Sequence, residues 1–364
     1  MSERYRHTWL EILLDNIYAN FRTLQDHIAP TKVVPVVKAD AYGHGAVRVV
    51  GHLRRRGIKR FAVAILEEAL EIKRAFPDVS VHVMGVPDPA DFPAYANYDI
   101  ELTVSQPGVL KALMQSEHSL RVHLKLDTGM NRLGFKQISE AVAAYQQLTL
   151  DPQISVEGVF THFATADSDK PYVDWQWSRF ERFLEALPAL PSMVHVSNTS
   201  AAMKHESGFR DTTHARIGIG LYGTSLESDW KERLQTTYVL KSRIVEVKHL
   251  KKQEKIGYGI TYEARDEERI GILPIGYADG FIRQNQGGDV FVNGGRRRIV
   301  GRICMDQMFI RLEDWDRLGD EVELIGEHLH IDEVADRLRT INYEVFTQIS
   351  SRVPRIYYER TGSE

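Results

Sequence analysis

The sequence predicts an α/β protein in which a (β/α)8 TIM-like barrel is followed by a mainly β C-terminal domain. Short apolar, β-branched segments alternate with helical patterns up to about Trp230, and this alternation is typical of a parallel sheet. Eight strand-then-helix units can be counted, which is the number in a closed barrel. Beyond Trp230 the pattern changes to closely spaced strands with hairpin turns, of which Asn293-Gly294-Gly295 is the strongest signal.

The barrel prediction depends on eight short apolar segments. They are residues 33–37, 60–64, 79–84, 100–104, 121–126, 154–160, 193–196 and 213–219. Helical patterns are predicted between them at residues 67–76, 107–115, 138–148 and 173–187. The short third helix, near residues 89–97, and the last strand are the weakest units.

The remaining segments predict the second domain. A strand at residues 8–14 comes first, and Asp15 is predicted to cap the helix that follows. Later strands are predicted at residues 236–251, 269–275, 288–292, 296–301, 308–312 and 321–325, with one helix at 331–340. We therefore expect a barrel over residues 1–230 and a mainly β domain over 231–364, with residues 1–14 forming a strand of the second domain.

The composition excludes several classes of protein. The chain has 46 Lys and Arg against 50 Asp and Glu, so nothing indicates a nucleic-acid surface. A single cysteine, Cys304, excludes an intrachain disulfide. No apolar run reaches the roughly 20 residues that span a bilayer, and the first residues lack the apolar core of a signal peptide. We expect a cytoplasmic protein with no membrane partner, and no metal site is predicted.

Lys38 stands where the first barrel strand ends. A lysine at the end of a buried strand is poorly hydrated, which lowers its pKa and favours the neutral amine that Schiff-base chemistry needs. A surface lysine after a strand is the simpler alternative. Tyr42 follows four residues later, on the same face if a helical turn begins here, and Gly43 and Gly45 permit close approach of a ligand.

Polar residues recur at the ends of later barrel strands, where the catalytic groups of such barrels lie. Each has a structural alternative, such as a hydrogen-bonded core histidine or an arginine paired with a carboxylate, but their recurrence at one end favours a site. These residues are Lys125 and then Arg132 at the end of the fifth strand, His162 at the end of the sixth, His195, Asn198 and Thr199 at the end of the seventh, and Arg216, Gly218 and Ile219 at the end of the eighth.

The string Val37-Lys38-Ala39-Asp40-Ala41-Tyr42-Gly43-His44-Gly45 closely resembles the cofactor-lysine signature of the alanine racemase family, and the resemblance extends from about Trp9 to Arg355. It implies that Lys38 holds pyridoxal 5'-phosphate covalently. The phosphate-binding set that it implies is Tyr42, Asn198, Thr199, Gly218 and Ile219.

The same resemblance implies roles for the charged residues of the barrel. Arg216 matches the arginine that faces the pyridine nitrogen, and His195 supports it. Lys125 matches a lysine that is often carbamylated and orients the arginine matching Arg132, which contacts the substrate.

In the second domain, Tyr258 of Gly257-Tyr258-Gly259 matches the second catalytic base, and His162 is its expected helper. Tyr277 matches a residue at the mouth of the site, and the backbone amide of Met305 is expected to meet the substrate carboxylate. The sequence departs from the family at Ser351, where many members have a tyrosine that touches the phosphate.

The function that the resemblance implies is the interconversion of L-alanine and D-alanine by two bases, Lys38 and Tyr258, in a homodimer with shared active sites. The D-alanine would supply cell-wall peptidoglycan. A racemase of serine or of several small amino acids is an alternative that Ser351 supports. A diamino-acid decarboxylase would need a carboxylate in place of Arg216, and a non-enzymatic pyridoxal-phosphate carrier would lack the second domain.

Overall fold

The computed structural model describes residues 6–205 and 208–359, and the chain divides into two compact units. One unit holds residues Ile17–Ala41 and Gly45–Gln235. The other holds the chain up to Asn16, the short segment Tyr42–His44, and the chain from Thr236 onward.

The first unit is a parallel barrel. Its strands are β2 (Lys32–Pro35), β3 (Arg60–Val63), β4 (Ser80–Val83), β5 (Glu101–Val104), β6 (Leu120–Lys125), β7 (Ile154–Phe160), β8 (Met193–His195) and β9 (His214–Ile217). Their order in the sheet is β2-β9-β8-β7-β6-β5-β4-β3, and a parallel bridge between Val36 and Ala62 joins the first strand of this order to the last. All eight predicted barrel strands are confirmed, each within two residues of its predicted ends.

Helical segments alternate with the strands, and apolar side chains recur along one face of the longer helices. The segments are α1 (Leu14–Ile28), the short left-handed turn α2 (Lys38–Tyr42), α3 (Ala46–Arg55), α4 (Leu66–Ala75), α5 (Phe92–Asn97), α6 (Pro107–Leu113), α7 (Ile138–Leu150), α8 (Lys170–Glu185) and α9 (Thr199–Lys204). The prediction that Asp15 caps α1 was wrong, because the helix begins at Leu14 and Asp15 lies in its first turn. There its carboxylate still interacts favourably with the helix dipole.

The second unit is built on a nine-stranded sheet. The elements of this unit are β1 (Thr8–Leu13), β10 (Tyr238–Arg243), β11 (Glu246–Leu250), β12 (Lys255–Ile256), β13 (Tyr262–Glu263), β14 (Glu268–Leu273), β15 (Asp289–Val292), β16 (Gly295–Val300), β17 (Met308–Leu312), β18 (Glu321–Ile325), α10 (Ile331–Leu338), α11 (Asn342–Gln348) and β19 (Arg355–Tyr358). The order of the strands in the large sheet is β11-β14-β17-β16-β15-β18-β10-β1-β19. Strand β1 pairs antiparallel with β10 and parallel with β19.

The second unit differs from the prediction in two details and confirms a third. The single strand predicted at residues 236–251 is two strands, because β10 pairs with β1 and β18 whereas β11 pairs with β14. Helix α11 and strand β19 were not predicted. The Asn293-Gly294 turn is confirmed: both residues have positive φ, 48° and 77°, as a two-residue hairpin turn requires.

Within the described part of the chain, no helix combines the length and the apolar character that crossing a membrane requires.

Candidate active site

The segment after strand β2 is a left-handed turn. Residues Ala39, Asp40, Ala41 and Tyr42 have φ between 51° and 55°, a region that costs an L-residue about 1–2 kcal/mol. The helical turn considered from the sequence is thus present, but with the opposite hand. Specific hydrogen bonds hold it: the Ala39 amide donates to Glu68 Oε1 (2.6 Å), and the Ala46 amide donates to Asp40 Oδ1 (2.6 Å). Strain of this kind concentrates at functional sites.

Lys38 begins this turn, and its ammonium group is disfavoured. Burial lowers the pKa of Lys38, and the charge of Arg132 lowers it further, while the Glu68 carboxylate has the opposite effect. The structure therefore places Lys38 and Arg132 close enough to interact. A lowered pKa gives the lysine a larger neutral fraction, which is the form that forms imines.

Lys125 is the last residue of β6 and is almost fully buried. Burial, followed by the charges of Arg216 and Arg132, lowers the pKa of Lys125 to about 7. Its Nζ lies 5.2 Å from the centre of the Phe160 ring. Lys125 is therefore much more easily deprotonated than an ordinary lysine.

Arg216 lies at the centre of a polar cluster. Its Nη1 donates to the Nδ1 (2.8 Å) and the carbonyl (2.7 Å) of His195, and its Nη2 donates to the Thr161 carbonyl (2.8 Å) and His162 Nδ1 (3.2 Å). Burial and the Arg216 charge lower the pKa of both histidines well below the usual value, so they are neutral acceptors. Lys38, Lys125 and Arg132 also lower the pKa of His162, so these cations lie around it.

Two turns of the barrel unit lie next to each other at the ends of β8 and β9. Asn198 caps α9, its Oδ1 accepting from the Ala201 amide (3.0 Å), and Thr199 is the first helical residue. The Gly218 amide donates to Thr199 Oγ1 (3.2 Å), and Ile219 begins a 3₁₀ turn. The structure thus brings Asn198, Thr199, Gly218 and Ile219 together, where helix-start N–H groups lack carbonyl partners within the helix.

The second unit carries the other predicted site residues. Tyr258 lies in a 3₁₀ turn between β12 and β13 and is 73% exposed, so it does not stabilise a sheet interior. Tyr277 and Met305 are exposed too, and the Tyr277 amide donates to the carbonyl of Cys304 (3.1 Å) beside Met305. Tyr42 is buried with its ring centre 6.1 Å from that of Tyr343, whereas Ser351 is exposed.

Comparison with known proteins identifies the family. Residues 12–226 match the profile of the alanine racemase N-terminal domain, and residues 237–357 match the profile of the alanine racemase C-terminal domain. The chain belongs to the alanine racemase family. It is therefore an enzyme of the isomerase class.

Relatives in this family match over nearly their whole length. The alanine racemase of Geobacillus kaustophilus is 42% identical, with 98% of this chain and 96% of that protein covered, and alanine racemase 1 of Bacillus subtilis is 39% identical, with 98% and 94% covered. The crystal structure of alanine racemase from E. faecalis has a TM-score of 0.90 at 39% identity, covering 97% and 99% of the two chains. A histidine racemase from Leuconostoc mesenteroides has a TM-score of 0.88 at 29% identity, covering 98% and 99%.

Sequence reasoning missed a second buried polar layer, which is hydrogen-bonded to His195. Glu101, His123 and His82 are fully or almost fully buried, and His123 hydrogen-bonds both His195 and Glu101. Glu101 and His123 do not stand at the carboxyl ends of their strands, so the search for strand-end polar residues could not find them. A histidine in the middle of a barrel strand, as at His82 and His123, was an available signal.

Proposed function

We propose that this protein is a pyridoxal-phosphate-dependent alanine racemase that interconverts L-alanine and D-alanine. The observation that carries the proposal is the surroundings of Lys38: a lysine of lowered pKa stands among three further basic side chains, Lys125, Arg132 and Arg216. Such a cluster favours an anionic ligand. The similarity to alanine racemases over almost the whole chain supports alanine as the substrate.

The residues fit a phosphate-bearing cofactor. Thr199 and Gly218 present a hydroxyl and backbone amides at two adjoining turns, and Asn198 and Ile219 flank them. Helix-start amides and a hydroxyl are a common phosphate-binding combination. With Tyr42 they form the phosphate-binding set that we propose. When bound, pyridoxal phosphate would hold the substrate amino group covalently and acidify its Cα–H bond.

Arg216 is proposed to face the pyridine nitrogen. A guanidinium keeps its protons at any physiological pH, so it keeps a hydrogen-bonded nitrogen unprotonated. The two neutral histidines, His195 and His162, hold the guanidinium in place. A decarboxylase of related fold would need a carboxylate here, and therefore Arg216 favours the racemase.

Two bases on opposite faces of the substrate are needed for inversion. We propose Lys38 Nζ on one face, where its lowered pKa suits it to exchange a proton, and the Tyr258 phenol on the other. His162 would assist Tyr258, Arg132 and the Met305 amide would bind the carboxylate, and Tyr277 would stand at the mouth.

The exposure of Tyr258 and Met305 is consistent with a homodimer in which each active site is shared between two chains. Complementation tests this. Lys38→Ala and Tyr258→Phe homodimers should each be nearly inactive. After random subunit exchange half of the dimers are hybrids with one intact site each, so activity should recover to about a quarter of wild type. Demonstrated exchange without recovery would place both bases on one chain.

The substrate range and the physiological role are also proposals. Ser351 replaces a bulkier tyrosine, and a structural neighbour acts on histidine, so serine or several small amino acids remain alternative substrates. We propose a cytoplasmic enzyme that supplies D-alanine for peptidoglycan.

The direct test is a racemisation assay with L-alanine, L-serine and L-histidine. We expect the highest kcat/KM for L-alanine, and Lys38→Ala should abolish both turnover and covalent retention of the cofactor. Borohydride reduction followed by peptide mapping should place the cofactor on Lys38. Labelling of a different lysine, or no racemisation of any amino acid, would contradict the proposal.

A further inference from the structure

A buried chain of hydrogen bonds connects Arg216 to the opposite end of the barrel. Arg216 Nη1 meets His195 Nδ1 (2.8 Å), His195 Nε2 meets His123 Nδ1 (3.0 Å), and His123 Nε2 meets Glu101 Oε2 (2.9 Å). Glu101 is the first residue of β5, at the amino end of the barrel strands, whereas His195 is the last residue of β8. This row of hydrogen bonds therefore crosses the barrel interior from one end to the other.

The direction of every bond in this chain follows from its two ends. A guanidinium can only donate, so His195 Nδ1 must be the acceptor and the single proton of neutral His195 lies on Nε2. That proton is donated to His123 Nδ1, which fixes the proton of His123 on Nε2. His123 then donates to the Glu101 carboxylate, which can only accept when ionised.

Glu101 is held as an anion by two arginines. Arg60 Nη1 donates to both carboxylate oxygens (2.7 and 2.8 Å), and Arg121 Nη2 lies 2.9 Å from Oε1. Although burial alone raises the pKa of Glu101, the hydrogen bond from His123 and the charges of Arg60 and Arg121 lower it to about 2. The carboxylate is therefore ionised at neutral pH.

A metal ion explains the three buried histidines less well than the hydrogen-bonded network does. His82, His123 and His195 have ring nitrogens within 4.8 Å of one another, as three metal ligands would. Yet the Nδ1 atoms of His123 and His195 already accept hydrogen bonds, and a cation would lie beside the Arg216 guanidinium. His82 stacks on His123 with ring centres 4.0 Å apart and binds Thr103 Oγ1 (2.9 Å), which indicates a packing role.

The geometry points to Glu101 as a positioning residue for Arg216: its carboxylate sets the tautomers of His123 and His195, so that His195 always presents an acceptor to the guanidinium. The effect on turnover rests on the proposed function, in which Arg216 faces the cofactor. The tautomers themselves do not depend on that function. If the proton of either histidine moved from Nε2 to Nδ1, His195 Nδ1 would become a donor and would repel the Arg216 guanidinium.

The Glu101→Gln variant should reverse the direction of the hydrogen bonds between residue 101 and the two histidines. Because two arginines donate to Oε1, the amide oxygen of glutamine should take that position and its NH₂ group should face His123. Two donors would then meet, and His123 should move its proton to Nδ1. Glu157→Gln is a matched control, because Glu157 also pairs with Arg121 (3.0 Å) at this end of the barrel, and among the described residues its carboxylate accepts hydrogen bonds from Arg121 and Ser155 rather than from a histidine.

The experiment is long-range ¹H–¹⁵N correlation NMR of the cofactor-loaded enzyme labelled with ¹⁵N-histidine. We expect Nε2–H tautomers for His123 and His195 in the wild type and in Glu157→Gln, and an Nδ1–H tautomer for His123 in Glu101→Gln. A doubly protonated or Nδ1–H form of either histidine in the wild type would overturn the inference. This test needs only the wild-type protein, so it does not depend on whether the variants fold.

Turnover supplies the second measurement. Glu101→Gln should lower kcat by about tenfold, the size typical of losing a residue that orients a functional group, and Glu157→Gln should stay within about threefold of wild type. Reversed tautomers with an unchanged kcat would refute the positioning role. Absence of racemase activity in the wild type would refute the proposed function and leave the tautomer measurement valid.

Discussion

We predict that Lys125 is carbamylated, because its pKa is lowered far below that of an ordinary lysine. A carbamate forms when the neutral amine of a lysine attacks CO₂ and releases a proton. A fall of the Lys125 pKa from the ordinary 10.5 to about 7 enriches the neutral, reactive amine at pH 7 by about three orders of magnitude.

The product would be stabilised where it forms. The charges of Arg216 and Arg132 that lower the pKa of Lys125 would both attract a carbamate anion, and an arginine–carboxylate contact is strong and planar. The carbamate would then orient Arg132 toward the substrate carboxylate. The modification should disappear as the pH falls through about 7, because protonation of the amine competes with its reaction.

The assay is ¹³C NMR of the enzyme equilibrated with ¹³C-bicarbonate, with kcat/KM measured in parallel. Lys125→Arg keeps the charge but cannot form the carbamate, so the signal should vanish and KM for alanine should rise. Lys73→Arg is the control: Lys73 is buried and its pKa is lowered by burial, but its Nζ donates to the carbonyls of Pro77 and Val79. A carbamate signal that survives in Lys125→Arg, or that does not weaken below pH 7, would refute the reasoning.

Two further predictions concern selectivity and stability. Ser351→Tyr should retain the cofactor more tightly and shift the alanine-to-serine ratio of kcat/KM toward alanine by about tenfold, and an unchanged ratio would show that Ser351 leaves no space at the site. Asp316→Asn should lower the free energy of unfolding, measured by urea titration, by about 3 kcal/mol, because Asp316 is fully buried and bridges Arg297 at 2.6 and 3.1 Å. Asp174→Asn breaks only an exposed pair with Lys170 and should cost under about 0.5 kcal/mol; equal losses in both variants would contradict the role of burial.

The barrel could be predicted because its strands are buried on both faces and therefore appear as short apolar runs between helical patterns. The Asn293-Gly294 turn could be predicted because positive φ favours those two residues. The left-handed turn at residues 39–42 could not, because alanine, aspartate and tyrosine normally prefer the right-handed region. It is stabilised partly from α4, where Glu68 binds the Ala39 amide, and no local pattern reveals such a distant partner.

The same distinction separates the two layers of the proposed site. Lys38 and Arg216 stand at or near the ends of strands, where the position of a polar residue in a barrel already indicates a function. His123 and Glu101 acquire meaning only through the bonds that join β5, β6 and β8, and each of these strands is distant from the others in sequence. A buried glutamate and a buried histidine are costly separately and acceptable together, because each satisfies the other. The conformation of Arg216 is therefore determined by residues at both ends of the barrel.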